Sequence, residues 1–367
     1  MFGRIKHIIL MTLSVLALAS CDKTIHEYPG EVDLKLTVEC DLNLTPPAYF
    51  TTVECDPENG TSYVVRTQAM QPFGTRFTED VCYRFVIDLY RVTSSHSVFV
   101  ERRVEFRDVD YDKNTDPVIA QFDVTATQYK VLVWCDYVQD DIREAWYYNT
   151  DDLRKIVYSD IEVKDNNDKD VFTNMLNVDL TDYYYLEGDF EIRPDVLTLE
   201  RPKGRYKCIT TDADDYLKSA GTSIEDITAV VQYTQYVSAG YNVEEQKPNY
   251  FEPTRTYIAK PRIDEDGELE LCYDYVFVNG KQTNVKINFW FYKGEVKIGD
   301  NGAPTVDLDD AGNPKGEEIS HWTGIIVPLK RNMETIIEGR MLTTNFGTGG
   351  IGIDPGFEGE IVIPWGD

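Results

Sequence analysis

Alternation with a period of two runs through this chain from near its start to near its end. Val32, Leu34, Leu36 and Val38 interleave with Asp33, Lys35 and Thr37. Successive side chains of a strand point to opposite faces, so such a run builds a strand with one buried face. The pattern returns at Val81-Tyr83-Phe85-Ile87-Leu89, at Val98-Val100, at Leu269-Leu271-Tyr273-Tyr275-Phe277 and at Val285-Ile287-Phe289-Phe291. Tyr129 to Trp134 is nearly continuously apolar, and short runs at Ile325–Leu329 and Ile361–Ile363 complete the set. Loops rich in Asp, Asn, Gly and Pro separate them, as at 108–117, 164–170 and 299–316. Many short strands punctuated in this way predict an all-β chain of antiparallel sandwiches. Helical signal is thin: a short helix within Asp214–Ile227, and a turn or two within Asp140–Ile156. Neither supplies the crossovers that a parallel α/β sheet needs.

The first twenty residues follow another logic. Arg4 and Lys6 precede an apolar stretch from Ile8 to Leu18, too short to span a bilayer as a helix. Leu18-Ala19-Ser20-Cys21 follows, and it resembles the lipobox of bacterial lipoproteins. The resemblance implies cleavage before Cys21, a diacylglycerol on its thiol and an acylated amine. Two or more acyl chains anchor a protein stably where one does not. Residues 1–20 therefore read as a lipoprotein signal peptide, and 21–31 as a polar tether. The expected location is the outer membrane, lipid-anchored and facing the cell surface.

Removing residues 1–20 takes away Arg4 and Lys6 and no acidic residue, so the net charge moves from −28 to −30. Such a surface repels nucleic acid and anionic headgroups, which excludes a nucleic-acid partner, and it keeps a protein displayed to water soluble. With 24 Tyr and many β-branched residues, the chain has the apolar content to fold despite that charge. Lipidation of Cys21 leaves Cys40, Cys55, Cys82, Cys135, Cys208 and Cys272. Outside the cytoplasm these permit disulfides, and buried thiols account for them equally well. No CxxC or Cys/His cluster supports zinc.

Gly347-Thr348-Gly349-Gly350-Ile351-Gly352 has the look of a dinucleotide turn, but Asp354-Pro355-Gly356 follows where a helix is required, so it reads as a β-turn loop. Asp108, Asp110 and Asp112 have calcium-loop spacing, spoiled by Lys113 and Ile119. Asp307, Asp309, Gly312 and Glu318 do better, but Ala311 and Pro314 intrude. Solvated surface loops explain both. His96 and His321 stand alone, and no HExxH or GxSxG appears, so the chain reads as a non-enzyme without cofactor. Trp146-Tyr147-Tyr148 and Tyr183-Tyr184-Tyr185 are candidates for stacking on sugar rings, although neighbours in a strand face opposite sides.

Several segments together resemble the Bacteroidales fimbrillin-like lipoproteins of the type V pilus group. They are the lipobox Cys21 with a strand from Val32, Tyr129–Tyr137 followed by Tyr148–Leu153, Leu199–Tyr206, and Leu342–Thr344 with Gly350–Ile361. The resemblance implies two tandem transthyretin-like antiparallel β-sandwich domains, expected at 32–190 and 191–367 with a seam near 186–197. It also implies pilus assembly by strand complementation, in which a partner's strand replaces a first strand removed by an Arg- or Lys-specific protease. That makes Val32, Leu34, Leu36 and Val38 the candidate exchangeable first strand. After Lys35, however, no Lys or Arg occurs before Arg66, and little chain follows Ile361 to serve as a donor. The reading is therefore an accessory, anchor or tip subunit engaged in adhesion. Its expected partners are other fimbrial subunits, outer-membrane lipid through acylated Cys21, and a host or glycan ligand. The alternative is a glycan-binding surface lipoprotein of a polysaccharide-uptake system.

Overall fold

The structure, a computed structural model, describes residues 32–43, 51–55, 63–69, 81–109, 116–139, 143, 147–159, 169–264 and 267–346. Cys21, the Gly347–Gly352 stretch and the expected strand at Ile361–Ile363 lie outside them. The described chain is all-β apart from one α-helix and short 3-10 turns, and it forms β-sandwiches.

The first sandwich faces two sheets. One is centred on β1 (Val32–Leu42), flanked antiparallel by β6 (Val118–Val124) and parallel by β11 (Gly188–Ile192) and β12 (Leu197–Leu199). The other runs in the order β10 (Phe172–Asp179), β7 (Gln128–Gln139), β4 (Val81–Val92), β5 (Ser97–Asp108), antiparallel throughout. Between them lies a core of Leu34, Leu36, Val38, Phe85, Ile87, Phe122, Val131, Val133 and their neighbours. The interruption at 186–197 is built largely of β11 and β12. Both enter this first sandwich, because β1 leaves an open parallel edge there.

The second sandwich packs a six-stranded sheet on a four-stranded one. The larger sheet has the order β18 (Arg262–Ile263), β19 (Leu269–Phe277), β13 (Lys203–Thr210), β24 (Met333–Gly339), β3 (Tyr63–Ala69), β2 (Thr51–Cys55). The smaller has β17 (Arg255–Ala259), β14 (Ile227–Tyr233), β20 (Thr283–Gly294), β23 (Gly316–Leu329). Strands β2 and β3 come from the N-terminal part of the chain, and β3 pairs with β24 over seven residues from Tyr63 to Ala69. The two packed layers are thus not contiguous in sequence. Among the described strands, pairing is antiparallel except at β1–β11, β1–β12 and β13–β24.

Burial explains the two kinds of strand pattern. On β20, Val285, Ile287, Phe289 and Phe291 are buried and the residues between them are not, so its sheet has one covered face. On β7 and β4 both faces are covered. Val131, Val133 and Cys135 enter the first core, while Leu132 and Trp134 enter a second cluster with Tyr147, Tyr148, Tyr241 and Phe277. A strand covered on both sides reads as a continuous apolar run, which is what Tyr129–Trp134 shows.

That second cluster joins the sandwiches. A small sheet, β16 (Lys247–Glu252), β15 (Val237–Asn242), β9 (Ile156–Tyr158), β8 (Tyr148–Asn149), draws two strands from each. Gly240 permits it: a Cβ there would sit 2.7 Å from the Ile156 carbonyl oxygen. The one α-helix among the described residues, α1 (Ala213–Ala220), is a short helix in the region where one was expected. It stops at Gly221, whose φ of +56° forms a left-handed cap.

Candidate strand-exchange site

The residues singled out for strand exchange all lie on β1. Leu34, Leu36 and Val38 are 3%, 0% and 1% exposed, and Val32 at the strand's start is half-buried against the same core. Cys40 and Leu42 continue the row. Both edges of β1 are occupied: Leu34 to Cys40 pair with Val124 to Val118, and Val32 to Leu36 pair with Gly188 to Ile192. Removing β1 would open the core and bare the edges of three strands.

Polar contacts fix its register. The Thr37 hydroxyl, fully buried, donates to Glu191 at 2.8 Å and accepts from Gln121 Nε2 at 3.3 Å. The Thr37 hydrogen bond holds the Glu191 carboxyl below its usual range. Arg193 reaches Glu39 at 3.1 Å, and Arg107 reaches Asp41 at 3.2 Å. A one-residue slip would turn every apolar side chain of β1 to the outside and Thr37 into the core. Where β1 begins, an open cleft of about 830 Å3 is lined by Asp33, Lys35, Asp123, Asp189 and Glu191 among others.

The nearest basic residues are poorly placed for a protease. Lys35 is exposed, but its backbone is laddered on both sides, to Asp123 and Glu191. Arg66 lies within β3, opposite Thr52 of β2 and Ile336 of β24, rather than in an open loop.

The aromatic candidates divide. Tyr147 and Tyr148 are 2% and 0% exposed, so they are no sugar platform. Tyr148 packs edge-on to Trp134 at 5.2 Å and donates to the Lys169 carbonyl at 2.6 Å. Trp146 is outside the described residues. Tyr183 leans on Phe190, whereas Tyr184 and Tyr185 are 43% and 70% exposed. Their rings meet at 86°, not as one flat face. Of the acidic loops, residues 110–115 are not described. In the other, Asp309 is spent on the backbone N–H groups of Ala311 and Asn313, and Asp307 pairs with Lys297. Among the described residues no three His, Cys, Asp or Glu gather as a metal site.

Sequence reasoning missed a buried polar cluster between the sandwiches. Lys169 Nζ donates to Asp274 at 2.6 Å, and Tyr233 donates to the same carboxylate at 2.8 Å. Burial lowers Lys169 to about 8 despite Asp274. Burial also pushes Asp274 up, but Lys169 and Arg255 outweigh it and hold the carboxyl below its usual range. Lys203 Nζ donates to the Tyr148 hydroxyl at 2.5 Å and lies 4.2 Å from the centre of the Phe277 ring. Burial, with Lys169 nearby, drives its amine well below the ordinary lysine value. Arg201 pairs with Asp170 at 3.0 Å and donates to Asn332. The one sequence signal was a charge inside an alternating apolar strand, at Asp274.

The model of a family described only as a family of unknown function, DUF6562, matches residues 37–365. No curated protein matches the chain. Among solved structures, a candidate adhesin from Bacteroides ovatus is similar over 79% of this chain and 78% of its own, at 9% identity and a TM-score of 0.38. A candidate cell adhesion protein from Parabacteroides distasonis is similar over 84% and 98%, at 9% identity and a TM-score of 0.34. A fimbrial assembly protein from the same species is similar over 75% and 98%, at 11% identity and a TM-score of 0.22.

Proposed function

The chain belongs to the DUF6562 family, and from there we propose that it is a lipid-anchored, non-enzymatic surface protein, an anchor or tip subunit of a fimbrial assembly. In this reading it docks other subunits by strand complementation and keeps its own first strand. The observation that carries the reading is the state of β1: a core strand paired on both sides, with the next basic residue, Arg66, held inside another paired strand. A protease needs its substrate extended and free of neighbours, and neither site offers that. A shaft subunit must give up its first strand. In this reading the chain holds it.

The lipobox at Cys21 supports the anchor, and the type V resemblance supports the partners. The groups with displaced proton affinities support a non-enzymatic role, because Lys169, Lys203 and Asp274 are at most 2% exposed and no substrate reaches them. A second reading, glycan binding at the surface, is favoured only by exposed Tyr184 and Tyr185.

N-terminal analysis of protein taken from cells tests the proposal. We expect an acylated Cys21 start with Val32–Leu42 retained, no self-ladders on a gel, and fimbrial subunits recovered with it. A start at Thr67 or Phe77 with heat-sensitive ladders would make this a polymerising subunit and overturn the reading.

A further inference from the structure

Cys208 on β13 and Cys272 on β19 stand directly opposite one another in an antiparallel pair. Both enter the same core, that of the second sandwich, at 0% and 2% exposure. The two thiols are hydrogen-bond neighbours; burial first, and Cys208 second, push the Cys272 thiol well above its usual value. Opposed residues of an antiparallel ladder hold their Cα atoms about 4.5 or 5.5 Å apart, and a disulfide spans about 4.4–6.8 Å. The register shifts immediately beyond the pair, where Ile209 faces Glu270, so the ladder has local freedom to adjust. The other buried cysteines lack this geometry. Cys40 faces Leu197 and Val118, Cys82 faces Asp108 and Val138, and Cys135 faces Phe172 and Phe85.

We propose that Cys208 and Cys272 are joined by a disulfide in the exported protein, a covalent rung between β13 and β19. The inference rests on export through residues 1–20. The oxidant is a thiol–disulfide carrier of the cell envelope. One cysteine thiolate attacks the carrier's disulfide and forms a mixed disulfide. The second thiolate then displaces the carrier's sulfur, so the disulfide forms, the carrier's own disulfide is reduced, and the two protons lost by the cysteines end on the carrier, which leaves as a dithiol. In the folded chain both sulfurs are buried, the Cys272 thiol is held well above its usual value, and the thiolate is the reactive form. The bond therefore forms before the core closes, and afterwards it is sheltered from reductants.

The test is a thiol map of protein isolated from cell envelopes, unfolded in alkylating agent without reductant, digested and weighed. The expected result is one linked pair of peptides carrying Cys208 and Cys272, lighter by two hydrogens than the reduced pair, with Cys40, Cys82 and Cys135 alkylated. Alkylation of both Cys208 and Cys272 overturns the proposal. A parallel sample assigns the failure: the chain without residues 1–20, reduced, unfolded and refolded in oxidised and reduced glutathione. If the rung forms there but is absent from cellular protein, the export reading has failed. If it forms in neither, the geometric argument has failed.

Discussion

Deleting residues 22–42 would remove β1 and leave its neighbours in place. Leu34, Leu36, Val38 and Leu42 are 0–7% exposed in the first core. At roughly 1.5–3 kcal/mol for each fully buried Val or Leu side chain, these four contribute roughly 6–12 kcal/mol. The net stability of a domain is only about 5–15 kcal/mol. The ladders to β6, β11 and β12 would be lost as well. The truncated chain is therefore expected not to hold its first sandwich alone, and to recover it when a synthetic Val32–Asn43 peptide is supplied. Urea denaturation with and without peptide, followed on a sizing column, reads this directly. Leu36→Ala in the full chain gives a second measure: at 0% exposure it should cost about 2–5 kcal/mol, while Lys35→Gln on the exposed face should cost little. A truncated monomer with the denaturation midpoint of the full chain would refute the reasoning and reduce β1 to an extension of the tether.

Three further outcomes are expected. Lys169→Met leaves Asp274 buried without its cation and should cost about 3–5 kcal/mol by urea denaturation. Adding Asp274→Leu should recover most of that loss, and a cost below about 1 kcal/mol would show that the pair does not hold the sandwiches together. The second outcome is a response to alkali: burial pushes Tyr148, Tyr206 and Tyr233 well above the ordinary phenol value. The unfolded chain sheds those protons from about pH 10, so their stabilisation is whole below that pH and is lost above it. Lys169 has the opposite sign, since its lowered value makes its charged form costly in the fold, and that cost fades between about pH 8 and 10.4. The midpoint should thus rise between about pH 8 and 10 and fall beyond it, with tyrosinate absorbance appearing in the same step as unfolding. Finally, on the proposed anchoring, Cys21→Ala should abolish lipid labelling and release the protein from membranes, since two or more acyl chains anchor a protein stably; an unchanged membrane fraction would refute the anchor.

The one-faced strands were the most legible part of the sequence. β1 and β20 announce themselves by alternation, because one side of each needs apolar residues and the other does not. Strands covered on both faces lose that signature, so β13 with Lys203, Arg205 and Lys207 did not read as the central strand it is. The small β11 and β12 were read as an interruption because Arg193-Pro194-Asp195 breaks the run between them. Pairing across long sequence distance was illegible for a different reason. Nothing local in Tyr63–Ala69 says that it will lie against β24. The aromatic triplets misled in part: at Tyr147 and Tyr148 the rings fill the space between sandwiches, and sequence does not tell a ring shown to solvent from a ring packed on Trp134.

The parallel pairing of β1 has a mechanical consequence. A load applied at the start of β1, as the proposed anchoring would apply it, pulls along the axis of β1, and β11, β12 and β6 grip it along its length. Force in that direction shears the ladder, so its rungs bear the load together instead of parting one after another from a frayed end. A protein held to a cell by its first residues, and pulled by whatever it holds at the other, would take the strain where it is gripped most firmly.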